Sequence, residues 1–581
     1  MHIHKSKSKH NVYLLIVTCF ASILVLFFNN CSSGLQTISS LTNQSNSTSN
    51  SDTTLGSGSP QFVGAPSSIT LGSGNVFHIR ADGGTATQCN GKANMAYPGT
   101  GSNQNCAWVN PMIAMPPRGP ARISGGDTLI IHSGQYKIGY GAPIESIYCN
   151  TSYPWDCEMS PVPSGIDANH PTQILGEGFD SSCPKAPQLY GAERVNQVLN
   201  LVGSNNVQVA CLEITDHSQC IQFHSNKPYA CNRDTFPYGE WTVVGLRVSD
   251  SQNVRLDNLN IHGLASTGVY AGRLTNWTST NIRIAGNGGA GWDGDIGASN
   301  SSNQGTIYFS KLTIEWNGCG ETYPGNQPYG CWGQSAGGYG DGLGTAKTGG
   351  NWVFEDSYFK HNVSDGLDLL YADGTGSVTL RRVWSEGNAG NQIKISGTSS
   401  ITNTVVLGNC GYFHGKAFTY NVDDCRAFGD AVALAPTDAS NVINVTNSTL
   451  VGEGNVIILG SARAGVTGAK INVTNSILIG LPYFLGPSQN TADMYTENAT
   501  FVENSNLKQG LRNANCSGSS IICGTAGIVS TNSANLDPHL LSNSAAIDSG
   551  VSAGSSTIPT ADYAGIARPK GNGIDRGAFE F

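Results

Sequence analysis

The chain has 581 residues, of which 73 are glycine and 12% are charged, and its formal net charge is −9. This length is ample for a large core, and the composition is typical of exported all-β proteins. The acidic balance disfavours nucleic acid as a partner, because nucleic-acid-binding proteins present basic surfaces.

The N-terminus carries a predicted export signal. Three lysines precede an apolar run over residues 12–28, which ends at the sequence FFNNCSSG. Cys31 resembles the lipidated cysteine of bacterial lipoproteins, so residues 1–31 are predicted to be a lipoprotein-type signal peptide. By the same analogy, Ser32 favours a lipid anchor in the outer membrane or at the cell surface. Because Asn30 stands where a small residue is usual, an uncleaved signal anchor and ordinary cleavage with release stay open.

A tether is predicted to follow the signal. Residues 32–75 are rich in Ser, Thr and Asn and cannot bury a core, so they are expected to be disordered. The folded part is expected over residues 76–581.

The cysteines indicate an oxidising compartment. The chain has 16 cysteines, and an even number remains when Cys19 and Cys31 are set aside. The sequence contains no C-x-x-C pair, which is the spacing that would indicate a zinc site. Five pairs are close enough to bridge single loops: Cys89 with Cys106, Cys149 with Cys157, Cys319 with Cys331, Cys410 with Cys425, and Cys516 with Cys523. The connectivity of four others stays open: Cys183, Cys211, Cys220 and Cys231.

The middle of the chain is repetitive. From about residue 195 to about residue 480, a β-branched run, a polar turn and a glycine recur at roughly 20 to 30 residues. Asparagine recurs at the same point of the units, at Asn287, Asn317, Asn362, Asn388 and Asn409. Asparagine suits each corner of a coil, because it tolerates left-handed backbone. No helical pattern separates the runs. We therefore predict an all-β, right-handed parallel β-helix over residues 76–510.

The two flanks of the repeat region have less regular sequences. Residues 142–190 are rich in Pro and Cys and are predicted to be long loops. Residues 511–581 are predicted to cap the last coil, and their final part resembles the C-terminal segment of many bacterial right-handed β-helix proteins. The inward residues of the coils are predicted to include Val254, Leu256, Ile282, Ile284, Val378, Leu380, Ile443 and Ile471.

Four chemically active side chains fall in consecutive units. Asp341 lies in GGYGDGLGT, Asp365 and Asp368 lie in SDGLDLLY, and Lys394 lies in NAGNQIKIS. If the units stack in register, the four side chains converge on one surface. Asp293 and Asp295, one unit earlier, are further turn carboxylates.

Residues 76–480 resemble a family of exported bacterial right-handed β-helix repeat proteins. Within that fold, the four residues resemble the site of family nine polysaccharide lyases, the pectate lyases, in which aspartates bind calcium and a lysine abstracts a proton. The resemblance implies that Asp341, Asp365 and Asp368 bind Ca²⁺ and that Lys394 is the catalytic base. Ser364 stands where that family usually has another aspartate.

The chemistry is consistent with this resemblance. A uronic acid polymer is cleaved by removal of the proton at C5 and expulsion of the oxygen at C4. Calcium held by carboxylates neutralises the uronate carboxylate, and a base with a lowered pKa accepts the proton. The predicted partner is therefore an acidic polysaccharide, and a monomer is expected. Candidate substrate-binding residues are Arg381, Arg382, Tyr339 and Tyr371.

Other interpretations of these residues stay open. Aspartates in β-helix turns often cap backbone N–H groups, Lys394 could be a solvated surface residue, and Arg381 and Arg382 could form surface ion pairs. A glycoside hydrolase could use the same aspartates. A non-catalytic glycan-binding or adhesin-like surface protein is the third functional class.

Overall fold

The computed structural model of the protein describes residues 68–144, 146–218, 220–222, 230–231, 235–296, 302–323, 327–333, 340–551 and 558–581. The predicted signal peptide, Cys31 and the tether up to residue 67 lie outside these ranges. Within them, no helix combines the length and the apolar character needed to cross a bilayer.

Strands dominate the described residues. In chain order they are β1 (Val76–Gly84), β2 (Thr128–Ile131), β3 (Gln135–Gly139), β4 (Thr172–Gly176), β5 (Gln188–Ala192), β6 (Val195–Asn200), β7 (Val207–Thr215), β8 (Thr242–His262), β9 (Thr267–Ala285), β10 (Trp292–Asp293), β11 (Gln304–Glu315), β12 (Cys319–Thr322), β13 (Gln327–Trp332), β14 (Leu343–Gly344), β15 (Asn351–Glu355), β16 (Tyr358–Lys360), β17 (Leu367–Leu369), β18 (Ser377–Arg381), β19 (Trp384–Glu386), β20 (Ile393–Ser396), β21 (Thr398–Thr402), β22 (Val405–Gly408), β23 (Thr419–Tyr420), β24 (Val432–Ala435), β25 (Val442–Thr446), β26 (Thr449–Gly452), β27 (Ile458–Ser461), β28 (Ala469–Thr474), β29 (Ile477–Gly480), β30 (Tyr495–Glu497), β31 (Ala499–Asn504), β32 (Leu507–Gln509), β33 (Ile522–Cys523), β34 (Ile528–Ser530) and β35 (Asp537–Leu540). The described helical segments are α1 (Pro111–Ala114) and the 3-10 turns Pro154–Asp156 and Arg426–Gly429.

The strands coil into three parallel stacks. The first stack contains β6, the start of β8 and of β9, then β10, β14, β17, β20, β24, β27 and β30. The second runs from β1, β2 and β4 through β15, β18 and β21 to β31. The third runs from β3 and β5 through β16, β19 and β22 to β32 and β33. This arrangement confirms the predicted parallel β-helix.

Alternating side chains fill the interior. In a strand, successive side chains point to opposite faces, so the apolar residue of each pair lies in register with the same position of the next coil. In the first stack this gives an inward column from Leu246 and Val269 through Leu367 and Ile393, all at most 1% exposed. All eight predicted inward residues are buried.

Asparagines form a ladder at one corner of the coils. The side-chain N–H of Asn287 donates to Asn317 Oδ1, that of Asn317 donates to Asn362 Oδ1, and that of Asn362 donates to Asn388 Oδ1, at 2.8–2.9 Å. All four side chains are completely buried. Asn409 differs, because its Oδ1 accepts from the backbone N–H of Gly387 instead.

The C-terminal segment mainly covers a side of the β-helix. Strand β33 adds a final rung to the third stack, but residues beyond it fold back along that stack. The physical reason is that outward positions of the third stack become apolar from Val405 onward. Val451 and Ile479, for example, pack against Ile528 and Leu540 of β34 and β35.

Seven disulfides involve all fourteen cysteines from Cys89 to Cys523. The five pairs expected from loop length are present. The connectivity left open by the sequence is Cys183 with Cys211 and Cys220 with Cys231.

Candidate functional site

The candidate site lies on the outer side of the first stack. Next to the inward column runs an outward column, in which Asp368 of β17 is in register with Lys394 of β20. Parallel strands lie about 4.8 Å apart, so side chains on adjacent coils of one column are within contact distance. The stacking that the repeats predict therefore brings these two residues together.

Lys394 bonds to two of the predicted carboxylates. Its Nζ donates to Asp368 Oδ2 at 2.8 Å and to Asp365 Oδ2 at 3.1 Å. The side chains of Lys394 and Asp368 are 13% and 14% exposed, whereas that of Asp365 is 5% exposed. Asp341, also buried, interacts electrostatically with all three residues. We call Asp341, Asp365, Asp368 and Lys394 the Lys394 cluster.

Two of the aspartates also hold the coils together. Asp341 Oδ1 accepts from the backbone N–H of Asp365 at 3.0 Å, and Asp365 Oδ1 accepts from that of Asn391 at 2.7 Å. The series continues, because Asn391 Oδ1 accepts from Asp430 N–H at 3.0 Å and Asp430 Oδ1 from Val456 N–H at 3.1 Å. These bonds are the backbone-capping role that was left open for the aspartates.

The sequence interpretation missed Asn391 and Asp430. Both are buried, and burial together with the charge of Asp365 raises the pKa of Asp430 to about 7. A signal for them exists, because Asp or Asn stands two residues before the inward residue in four consecutive coils, from Asp341 before Leu343 to Asp430 before Val432.

Burial and charge set the protonation of the cluster. Burial, together with the charges of Asp365 and Asp368, raises the pKa of Asp341 to about 8. Burial also opposes ionisation of Asp365, but the Lys394 charge and the bonds from Asn391 outweigh it and lower its pKa. Burial raises the pKa of Asp368 despite the attraction of Lys394.

Lys394 itself is held in its charged form. Burial alone would lower its pKa, but the charges of Asp365 and Asp368, with the bonds they accept, raise that pKa well above its ordinary value. The sequence interpretation expected the opposite direction. The reason for the difference is that a lysine between two carboxylates gains more from their charges than it loses by desolvation.

The Lys394 cluster has the donor type of a calcium site but not its arrangement. Carboxylate oxygens are the ligands that Ca²⁺ prefers. However, the Oδ2 atoms of Asp365 and Asp368 contact the Lys394 ammonium, and an Oδ1 atom of each aspartate accepts a backbone N–H. In the described parts of the chain, no three His, Cys, Asp or Glu side chains are arranged to hold a metal ion. The lysine ammonium is the cation that these carboxylates bind here.

The remaining predicted residues are dispersed. Asp293 lies in the outward column of Lys394, two coils before Asp368, and burial with the nearby Asp295 raises its pKa to about 7. Tyr371 is half-buried just beyond β17. Tyr339 lies outside the described residues.

Two predicted substrate-binding residues lie away from the cluster. Arg381 belongs to the second stack and pairs with Glu355, and Arg382 pairs with Asp356 at 2.6 Å. Both arginines therefore form the surface ion pairs that were the alternative interpretation.

The fold and this site together define a parallel β-helix protein with a lysine–carboxylate cluster on the outer side of its first stack. No protein-family model and no curated protein sequence matches the chain. Among solved structures, the chain is similar to the pectate lyase Pel9A, at 14% identity over 87% of this chain and 96% of that chain, with a TM-score of 0.41.

Two further solved structures show a similar level of likeness. An alginate lyase from Paenibacillus sp. str. FPU-7 matches at 14% identity over 65% of this chain and 93% of that chain, with a TM-score of 0.34. The A-module of the mannuronan C-5 epimerase AlgE6 from Azotobacter vinelandii matches at 12% identity over 69% of this chain and 91% of that chain, with a TM-score of 0.35. At these identities and TM-scores, the likeness concerns the coiled fold and assigns no activity to the site.

Proposed function

We propose that this chain is an exported carbohydrate-active protein, and that the Lys394 cluster cleaves a uronic-acid polymer by β-elimination, as a polysaccharide lyase does. The observation that supports the proposal is the contact of Lys394 Nζ with Asp365 and Asp368 on the outer side of consecutive coils. Lys394 and Asp368 are the more exposed members of the cluster, so they are the ones that a bound polymer reaches.

In the proposed reaction, Lys394 acts as the general base that removes the proton at C5 of the sugar. A general base must be within hydrogen-bond reach of that proton and must be unprotonated. Because Asp365 and Asp368 keep Lys394 charged, the proposal requires that its two ion pairs weaken when substrate binds. A substrate carboxylate placed beside Asp365 and Asp368 would be repelled by them, so the orientation of the sugar must direct its carboxylate away from both.

Calcium dependence stays a prediction. A bound Ca²⁺ would neutralise the uronate carboxylate and acidify the proton at C5. The arrangement of the three aspartates does not fit such an ion while Lys394 Nζ contacts Asp365 and Asp368, so the proposed proton transfer to Lys394 does not depend on calcium. Activity that survives a chelator would remove calcium from the proposal and leave the role of Lys394 intact.

The test is the chemical nature of the product. A lyase leaves an unsaturated uronate that absorbs in the ultraviolet, whereas a hydrolase releases reducing ends without that absorbance. We expect purified protein to generate the absorbance from an acidic polysaccharide, and Lys394→Ala to lose on the order of 10² to 10⁴ in rate. Lys360→Ala is the matched control, because Lys360 also pairs with a carboxylate, Glu386, but lies in the third stack.

A non-catalytic glycan-binding surface protein is the second candidate. It is favoured by the backbone bonds of Asp341 and Asp365, because these bonds give both carboxylates a structural role that requires no catalysis. Binding of an acidic polysaccharide without any cleavage product, unchanged in Lys394→Ala, would establish this alternative and refute the lyase.

Export and anchoring are separable parts of the proposal. Seven disulfides are expected in a protein that matures in an oxidising compartment. Attachment through Cys31 is tested with a labelled fatty acid, which should be incorporated by the natural protein and not by Cys31→Ser. Labelling that persists in the variant would show that Cys31 is not the anchor.

A further inference from the structure

A second lysine bonds to carboxylates at the far end of the β-helix, inside the coil. Lys508 lies in β32, in register with Leu478 of β29, which in turn is in register with Leu450 of β26. Leu478 and Leu450 are completely buried core residues, so Lys508 occupies an inward position. Its side chain is 0% exposed.

The Lys508 ammonium contacts two carboxylates. Nζ donates to Asp493 Oδ2 at 2.7 Å, lies 2.8 Å from Glu503 Oε2, and has the backbone oxygen of Asn515 at 3.3 Å. The Asp493 side chain is 7% exposed and that of Glu503 is 15% exposed. An amine and a carboxyl group are thus in contact where water has little access, with a second carboxylate beside the amine.

The two oxygens of Asp493 differ. Oδ2 also accepts from the backbone N–H of Asn515 at 3.0 Å, whereas Oδ1 is buried and has no hydrogen-bond partner among the described residues. A buried carboxylate oxygen without a partner carries an unfavourable desolvation energy. Loss of Oδ1 from the site would therefore break no hydrogen bond and would remove that unfavourable contribution.

The Lys394 cluster differs from the Lys508 site in the exposure of its lysine and in the hydrogen bonds of its carboxylate oxygens. Lys394 is 13% exposed, and in Asp365 and Asp368 the oxygen that does not face the lysine accepts a backbone N–H. Neither carboxylate there has an oxygen that is free to leave.

We propose that Lys508 and Asp493 become joined by an amide bond between Nζ and Cγ once the β-helix has folded. The ammonium carries three hydrogens. Glu503 removes one from Nζ and passes it to Asp493, the free amine attacks Cγ, and a second hydrogen follows the same route as the Cγ–Oδ1 bond breaks. Oδ1 leaves as water with these two hydrogens, the third stays on the amide nitrogen, and Glu503 returns to its starting state. The positive charge of Lys508 and the negative charge of Asp493 cancel, and the step needs no oxidant or other reactant.

The fold supplies what this condensation needs. Holding two reacting groups in contact raises their effective concentration to about 10⁵–10⁸ M in well-oriented cases, which compensates for the weak driving force of amide formation in water. The product also replaces two buried charges with one neutral amide, and the desolvation of buried ion pairs is expensive. The bond would tie Asp493, two residues before β30, to β32 near the end of the β-helix, where only the short strand β33 follows β32 in the third stack.

Peptide mapping of the full protein tests the proposal directly. After reduction and alkylation, trypsin cuts an unmodified chain behind Lys470, Lys508 and Arg512 and yields the peptide 471–508 at full mass. With the amide present, trypsin does not cut behind Lys508, and we expect the peptide 471–512, lighter by one water molecule. A peptide 471–508 at full mass as the main product of the folded natural protein would overturn the proposal.

Two variants separate the cross-link from ordinary burial. Lys508→Arg keeps the charge but cannot form the amide, so its peptides should have full mass, and its last coil should open more readily in hydrogen exchange. Glu503→Gln keeps both reacting groups and removes the proton carrier, so the cross-linked fraction should fall at least tenfold while hydrogen exchange shows the coil still folded. An undiminished cross-link in Glu503→Gln would refute the role of Glu503, and peptides cut behind Lys394 provide the internal control for digestion.

Discussion

Alkaline pH is expected to loosen the hairpin of β12 and β13 from the third stack. His262, at the end of β8, is enclosed between two carboxylates, with Nδ1 at 2.6 Å from Glu321 Oε2 and Nε2 at 2.9 Å from Glu213 Oε1. Glu321 belongs to β12, so this ion pair fastens the hairpin to the coil. The perturbation is the loss of the His262 charge.

The magnitude follows from the pKa of His262. Burial would lower this pKa, but the charges and bonds of Glu321 and Glu213 raise it to about 9 from an ordinary value of 6.5. At about 1.36 kcal/mol per pKa unit, this shift corresponds to about 3 kcal/mol. Because Glu213 of β7 stays beside His262 when the hairpin opens, that figure is the upper limit of what the charged imidazole contributes to keeping the hairpin closed. Because the folded-state pKa is raised, this contribution is fully present below pH 6.5 and is lost as the pH rises through 9.

Hydrogen exchange of the hairpin amides measures this contribution. The free energy of opening in the natural protein should exceed that in His262→Gln by up to about 3 kcal/mol below pH 6.5, which is at most roughly a 100-fold difference in the opening constant, and the difference should shrink above pH 9. His414→Gln is the matched control, because His414 pairs with Asp424 but is 67% exposed. A difference that does not change with pH, or an equal effect in the control, would refute the reasoning.

Two further predictions concern the coils. Asn317→Ala removes one residue from the buried asparagine ladder and leaves the side-chain N–H of Asn287 without its acceptor, whereas Asn362 Oδ1 keeps the backbone N–H of residue 317. The central coils should therefore lose about 1 to 3 kcal/mol in denaturant unfolding, whereas Asn472→Ala, which breaks a half-exposed bond, should cost less than about 1 kcal/mol. Gly176→Ala would place a Cβ atom 1.7 Å from the backbone oxygen of Cys211, so it should lower the melting temperature strongly, whereas Gly524→Ala, with nothing within 4 Å, should leave it unchanged. Equal effects within either pair would contradict the packing described for the coils.

Much of the fold could be predicted because the sequence pattern of one coil recurs in the following coils. The coils share the same alternation of side chains, and four consecutive coils share the same corner asparagine, so several units indicate one register. Prediction was weaker where coils are separated by long insertions. Residues 142–190 were expected to be loops, yet they contain β4 and the first three residues of β5. Both strands are short and gain their stability from pairing with β2 and β3 rather than from a pattern of their own.

The positions of the candidate site residues could be predicted from the sequence, but the protonation state of Lys394 could not. Asp368 and Lys394 are in contact because the register of β17 and β20 places them side by side, and the sequence repeat predicts that register. The protonation of Lys394 depends on how deeply its partners are buried and on which atoms face each other, and neither is visible in a spacing. For the same reason, the structural role of Asn391 and Asp430 was missed, although both stand two residues before the inward residue of their coils.

The most direct test of the proposed function is the ultraviolet absorbance produced from acidic polysaccharides by the natural protein, Lys394→Ala and Lys394→Arg side by side. Lys394→Arg keeps the positive charge beside Asp365 and Asp368 but cannot act as a base near neutral pH, so it separates proton transfer from the structural ion pairs. The account predicts that the natural protein forms the unsaturated product and that both variants lose at least 100-fold in rate while remaining folded. A Lys394→Arg protein that cleaves the same substrate at the natural rate would contradict it.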